Sequence, residues 1–109
     1  MLLNCTPHAL TIGSTVLPPS GMIARVAVQS SPYTGEEFFG CKVCIQIMGP
    51  VTGLPRDAQG NIAPCVVSGM VLAALPAGTK NVYAPRTDHT AIRNAEGQII
   101  AVTELVTKE

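Results

Sequence analysis

Charge is what this sequence has least of. Asp, Glu, Lys and Arg make up only 13% of the 109 residues, about half the usual share of roughly 25%. Seven basic side chains balance seven acidic ones, so the formal net charge is zero. A duplex or an anionic membrane surface is gripped through a basic excess, and this balance argues against nucleic-acid polymers and membranes as partners. No apolar run reaches the roughly 18–20 residues that span a bilayer. The opening Met1-Leu2-Leu3-Asn4 has neither a basic lead nor a signal-type core of about 7–15 apolar residues, so the expected location is the cytoplasm. There is no G-x-x-x-x-G-K loop, no G-x-G-x-x-G and no G-x-S-x-G. Hydrolase chemistry therefore has no visible engine.

What is abundant is apolar: 47% of the chain. Few charges and many apolar residues leave hydrophobic surface over, which in soluble proteins usually means subunit contacts. We expect one domain over residues 1–109, assembled as a homo-oligomer. The run Met70-Val71-Leu72-Ala73-Ala74-Leu75 is apolar on every side and reads as a short helix buried in the core or in an interface. Around it the pattern is strand-rich. Leu2 to Ile12 reads as a strand interrupted by Pro7, which suits an edge or a bulge. Thr15 to Leu17 and Met22 to Val28 follow, the latter placing Met22, Ala24, Val26 and Val28 on one face. Cys41 to Met48 alternates until Gly49-Pro50 ends it, and Cys65 to Ser68 reads as a short buried strand. Asn81 opens another strand. Thr90 to Arg93 and Gln98 to Leu105 form a hairpin across Asn94-Ala95-Glu96-Gly97. The expected fold class is α+β, mostly β: a small antiparallel sheet or partly open barrel with one short buried helix.

Four cysteines, Cys5, Cys41, Cys44 and Cys65, invite a metal or disulfide reading, and Cys41-Lys42-Val43-Cys44 has C-x-x-C spacing. In a strand, however, positions i and i+3 face opposite ways, so these two sulfurs diverge. We expect all four to be buried free thiols acting as small apolar side chains. His8, His89, Asp88 and the cysteines show no ligand spacing, and no metal or other cofactor is expected. Cys5 and His8, in one strand, cannot meet as nucleophile and base.

The densest set of functional side chains is Arg86-Thr87-Asp88-His89-Thr90-Ala91-Ile92-Arg93. Guanidinium forks grip phosphate or carboxylate bidentately, and hydroxyls add neutral donors; the plain alternative is a solvated turn leading into a hairpin. A second polar cluster, Asn4-Cys5-Thr6-Pro7-His8, offers Thr6 and His8 to a ligand or to the backbone. Glu36-Glu37-Phe38-Phe39 ends a polar excursion from Gln29 to Gly40, as either a loop folded back by its aromatics or a lid over a ring-bearing ligand. Together these features suit a small phosphorylated ligand. Arg25, Arg86 and Arg93 would hold phosphates, Thr87, Asp88, His89 and Thr90 would bond its polar edges, and Thr6, His8, Phe38 and Phe39 would cap it.

The order of these segments resembles a group of short phage, prophage and bacterial proteins. They open with N-x-T-P-H, continue through P-P-S-G and A-R-V, and carry a G-L-P segment, a V-S segment running into A-A, A-P-x-T-x-x-T-A followed by an aliphatic residue and Arg, and a closing G-x-I-x-A-V strand. Here these are Asn4 to Ile12, Pro18 to Val26, Gly53 to Pro55, Val67 to Ala74, Ala84 to Arg93 and Gly97 to Val102. Cys5 departs from the group, which has a small or aliphatic residue there. Small phage proteins of this build include sponges for the nucleotide second messengers of bacterial antiviral systems. The resemblance therefore implies non-catalytic sequestration of a cyclic or modified nucleotide signal in the host cytoplasm. The alternatives are a phage structural or protein-interaction role and, further off, a small nucleotide hydrolase using His8 and His89.

Overall fold

A strand at the middle of the molecule, Cys65–Val66, is too short to be stable alone and is held by neighbours on both sides. A computed structural model of the protein describes residues 1–108. In chain order its strands are β1 (Leu3–Asn4), β2 (Leu10–Ile12), β3 (Thr15–Leu17), β4 (Arg25–Ser30), β5 (Glu37–Phe38), β6 (Cys41–Lys42), β7 (Gln46–Thr52) and β8 (Cys65–Val66). The single helix α1 (Gly69–Ala74) follows, then β9 (Val82–Pro85), β10 (Ile92–Arg93), β11 (Ile99–Ala101) and β12 (Leu105–Thr107). The fold is mostly β, as its sequence pattern predicts, with one short helix and no closed barrel.

Four strands form the central sheet in the order β1-β8-β9-β12, and four two-stranded ribbons surround it. The pairs β1/β8 and β8/β9 are parallel and β9/β12 is antiparallel. Parallel neighbours need a crossover, and α1 with the loop after it supplies the one from β8 to β9. Cys65, Val66, Val67, Val82 and Ala84 are completely buried, and Val71, Leu72 and Leu75 of the helix pack over them with Cys5 and Ala24. Ser68 caps the helix, its Oγ accepting from the Val71 amide at 3.3 Å. Burial pushes the Cys65 thiol up to about 12, and Cys5 beside it adds to the shift.

Asn4 is the one fully buried polar side chain among the described residues. Its Nδ2 donates to the carbonyls of His8 at 2.8 Å and Leu17 at 2.9 Å, while its Oδ1 accepts from the Thr6 amide at 3.0 Å and the Thr6 hydroxyl at 2.6 Å. Its own carbonyl accepts from both the amide and the hydroxyl of Ser20. Every polar atom of the side chain is thus matched, which is the condition for burying a carboxamide without loss.

Several details depart from the sequence expectations, each for a local reason. Gly49-Pro50 does not end a strand: β7 runs through it, because Val26 pairs with Val51 and Val28 with Met48, leaving Gly49 and Pro50 opposite Ala27 as a bulge. A proline in a two-stranded ribbon needs no ladder partner on its outer edge, so the bulge absorbs it. The stretch expected as one strand from Cys41 to Met48 is divided, and Cys41 and Cys44 are exposed rather than buried; only Cys5 and Cys65 are core thiols, and all four are free. The helix is not buried all round: Met70 is 54% exposed on the side away from Val71 and Leu72. The stretch from Gln98 to Leu105 splits into β11, paired with β10, and the start of β12, paired with β9. Gln29 to Gly40 is no separate excursion but the outer half of a long ribbon in which β4 pairs with β7 and β5 with β6.

Two outcomes follow. Replacing Asn4 by Ala strands its partners, and Asp further sets a carboxylate against two carbonyls; each change is expected to cost about 2–4 kcal/mol. That corresponds to a fall in melting temperature of roughly 10–20 °C for a domain of this size. Thermal melts that leave either variant at the wild-type temperature would contradict the role given to Asn4. Cys5 and Cys65 are expected to stay unmodified by a thiol reagent at pH 8 in the native protein and to react once urea unfolds it.

Candidate functional site

The Arg86–Arg93 segment leaves β9 and enters β10, and its side chains are bonded mostly to one another. Arg86 Nε donates to Asp88 Oδ2 at 2.6 Å, and Arg86 Nη1 donates to Glu104 Oε2. The Arg86 amide also donates to the Glu104 carbonyl. Asp88 Oδ1 accepts from the amide of Thr90 at 3.0 Å and its hydroxyl at 2.8 Å, a side-chain turn of the type Asp favours. Arg93 reaches back to the carbonyl of Gly97 at 2.8 Å and of Thr87 at 3.4 Å. Five of the proposed site residues, Arg86, Thr87, Asp88, Thr90 and Arg93, are therefore brought together. His89 is exposed, with its Nδ1 3.9 Å from Asp88 Oδ1.

Electrostatics limits what this loop offers an anion. The Thr90 amide and then the Arg86 guanidinium hold the Asp88 carboxyl well below the usual carboxylate range, so it is ionised at neutral pH. Asp88 and then Glu104 in turn push the Arg86 guanidinium up. Arg86 thus lies between two carboxylates, and its fork is occupied. Arg93 has no ion-pair partner among the described residues, and two of its donors are satisfied by carbonyls.

The other proposed residues lie elsewhere. Thr6 spends its hydroxyl on Asn4 and on the His8 carbonyl, and the His8 ring is exposed without a side-chain hydrogen bond among the described residues. No side-chain hydrogen bond or ion pair joins this cluster to the Arg86–Arg93 loop among the described residues. Arg25 is exposed at the base of the β4/β7 ribbon, opposite Thr52, and Phe38 and Phe39 stand at its far end.

A second constellation was not visible in the sequence. Arg56, Asp57, Gly60, Asn61, Ile62, Lys80 and Asn81 line an open, polar depression of about 430 Å³. Asp57 closes the turn beneath it, its Oδ1 accepting from the amides of Gln59 and Asn61, both at 2.9 Å. Arg56 Nη1 donates to the Gly60 carbonyl at 3.1 Å, and Asn81 Nδ2 donates to the Ile62 carbonyl at 2.9 Å. Lys80 has no hydrogen bond or ion pair among the described residues, and no carboxylate pairs with Arg56 there. Two cations and one acid leave the depression with a net positive charge. Arg56 and Lys80 sit on opposite sides of α1 in the sequence. The Arg56/Ile62 bridge closes the first segment on itself and the Asn81 side chain joins it to the second at Ile62, so no local motif announces the pair. Another depression, about 330 Å³, is lined mainly by apolar residues including Leu2, Leu3, Leu17 and Pro18 and holds no charged side chain.

Groups of three or more His, Cys, Asp or Glu residues that could hold a metal ion are not found among the described residues. Among the described residues no helix is long and apolar enough to cross a membrane. No protein-family model, curated protein or solved structure matches the chain.

The Asp88 loop yields a pH test. Its folded-state pKa lies below the unfolded one, so the stability it contributes is complete above the ordinary carboxylate value of about 4 and fades as pH falls through the folded value. The difference in melting temperature between wild type and Asp88→Asn is expected to be steady from about pH 7 to 5 and to close in stronger acid. A difference that grows on acidification would contradict the ion pair with Arg86.

Proposed function

We propose that the protein binds a small phosphorylated ligand without turning it over, taking its phosphate between Arg56 and Lys80. The observation that carries this reading is the presence, in one depression of about 430 Å³, of a guanidinium and an ammonium against a single carboxylate, Asp57, whose Oδ1 is bonded to backbone amides. The volume falls within the range of roughly 300–1,000 Å³ typical of small-molecule sites. Asn61 and Asn81 line the same depression with side-chain amides that could bond a sugar or a base edge. In the Arg86–Arg93 loop the Arg86 fork is already taken by Asp88 and Glu104, so Arg86 serves better as a structural clasp than as the phosphate grip.

The motif order shared with short phage and prophage proteins supports a cyclic or modified nucleotide signal as the ligand. Sequestration by a homo-oligomer in the host cytoplasm follows from the same resemblance. His8 and His89 lend the hydrolase alternative little support, since neither has a hydrogen-bonded partner that would orient it as a general base. A protein-interaction role has a specific observation in its favour, the exposed apolar ribbon taken up below.

The test is thermal melting against a panel of linear and cyclic nucleotides, with inorganic phosphate as a control. A ligand at 100 times its dissociation constant stabilises by about 2.7 kcal/mol, a shift of several degrees. Arg56→Ala and Lys80→Ala are each expected to weaken binding roughly ten- to hundred-fold, the worth of one hydrogen bond to a charged group. The ligand should be recovered intact after heat release. No shift with any nucleotide, or full affinity in both variants, would remove the depression from consideration.

A further inference from the structure

The molecule has more surface than its mass allows a folded monomer. A chain of 11.3 kDa should expose about 5,700 Å², yet this one exposes 7243 Å². Its radius of gyration is 16.6 Å, against about 13 Å for a compact domain of this length. Much of the surplus is the β4/β7 ribbon with the β5/β6 hairpin at its end. Near the body, Val26 and Val51 of the ribbon pack on the core. Further out, the paired Val28 and Met48 continue that same face into solvent, while Ile45 and Ile47 are exposed on the opposite face. The arm is thus apolar on both sides.

Its edges are unguarded as well. Residues 26–35 and 43–53 contain no charged side chain, although natural sheets protect free edges with charge. An isolated two-stranded ribbon is marginal in water unless something packs on it. At the tip, Phe38 pairs with Cys41 across a two-residue turn, Phe39-Gly40, with both φ angles positive. Phe39 has φ 51° and is wholly exposed. A bulky aromatic in the left-handed region, presented to water, is disfavoured on both counts.

We propose that the arm from Arg25 to Thr52 is the surface through which the protein assembles with a second copy of itself, its two apolar faces becoming buried between protomers. Area favours this occupant. A surplus of about 1,500 Å² per chain would give roughly 3,000 Å² in a pair, well within the 2,000–5,000 Å² of obligate homodimers and above a transient contact. The surplus is also permanent, so its cover must be present whenever the chain is, and another copy meets that condition. Arg25 and Lys42 balance Glu36 and Glu37, leaving no net charge on the arm to repel its like. A reciprocal, closed arrangement covers the free edges that would otherwise template open-ended pairing. None of this depends on the ligand reading.

The experiment is light scattering on the full chain across about 1–50 µM, with wild type, Val28→Asp and Ile47→Asp. Wild type should show a multiple of the 11.3 kDa chain mass. Each substitution, at a position outside the protomer core, should raise the dissociation constant at least about thirty-fold with the circular dichroism unchanged. A wild-type monomer throughout, or an oligomer whose mass folded variants leave untouched, would overturn the proposal. Should the variants fail to fold, thiol labelling of wild type decides. Cys44, exposed on the arm of a single protomer, should label slowly in the assembly and faster on dilution, and a rate independent of concentration would overturn the assignment.

Discussion

The buried carboxamide of Asn4 is the contact on which the rest of the body depends. It joins β1, an edge strand of the central sheet, to the turn at Thr6-Pro7-His8, to the end of β3 at Leu17 and, through its backbone carbonyl, to Ser20. Ser20 opens the approach to β4, and the Ala24 amide then bonds the Cys5 carbonyl at 3.0 Å. The side chain of Asn4 thus orients the first ribbon, while the backbone of Asn4 and Cys5 holds the base of the arm. A carboxamide can do this where a hydroxyl or a carboxylate cannot, because it has two donors and an acceptor at one rigid end.

The segments on which the sequence resemblance rests have physical roles in this fold. The N-x-T-P-H and P-P-S-G pieces, separated in sequence, meet at Asn4 and Ser20. The A-R-V and G-L-P pieces meet at Gly53, where φ is 84° and a Cβ would lie 2.2 Å from the Ile23 carbonyl oxygen, so no larger residue fits. The Thr-Asp-His-Thr turn and the arginines around it clasp the final hairpin, Arg93 to Gly97 and Arg86 to Glu104. Much of what looked like ligand chemistry in the sequence is the polar framework of a small fold with a modest core. Cations in a charge-poor chain stand out in the sequence whether they bind a ligand or a neighbouring carboxylate.

The arm and the depression at Arg56 and Lys80 occupy different parts of the same constraint. A chain with so few charges has a small body built on short strands, and part of its apolar excess lies exposed on the β4/β7 ribbon. Its free cations are correspondingly rare. Where two of them line one depression with a single acid, as Arg56 and Lys80 do with Asp57, the local field is the more conspicuous for the neutrality of the rest.

Composition and periodicity alone determined that the chain is mostly β with one short helix, that this helix falls in the apolar run from Met70 to Leu75 and that Asn94 to Gly97 turns a hairpin. These are local matters of capping, alternation and turn chemistry, settled within a few residues. Tertiary structure decided the rest. Whether Cys41 and Cys44 are buried depends on what packs against their ribbon, and nothing among the described residues covers them. Whether Gly49-Pro50 ends a strand depends on whether a partner can bulge around it, and β4 allows that. Whether an arginine is free or spent depends on carboxylates brought from afar, as Glu104 is to Arg86 and as none is to Arg56. Alternation reports which way a side chain points, while burial and pairing depend on what lies there, and only the folded chain supplies that neighbour.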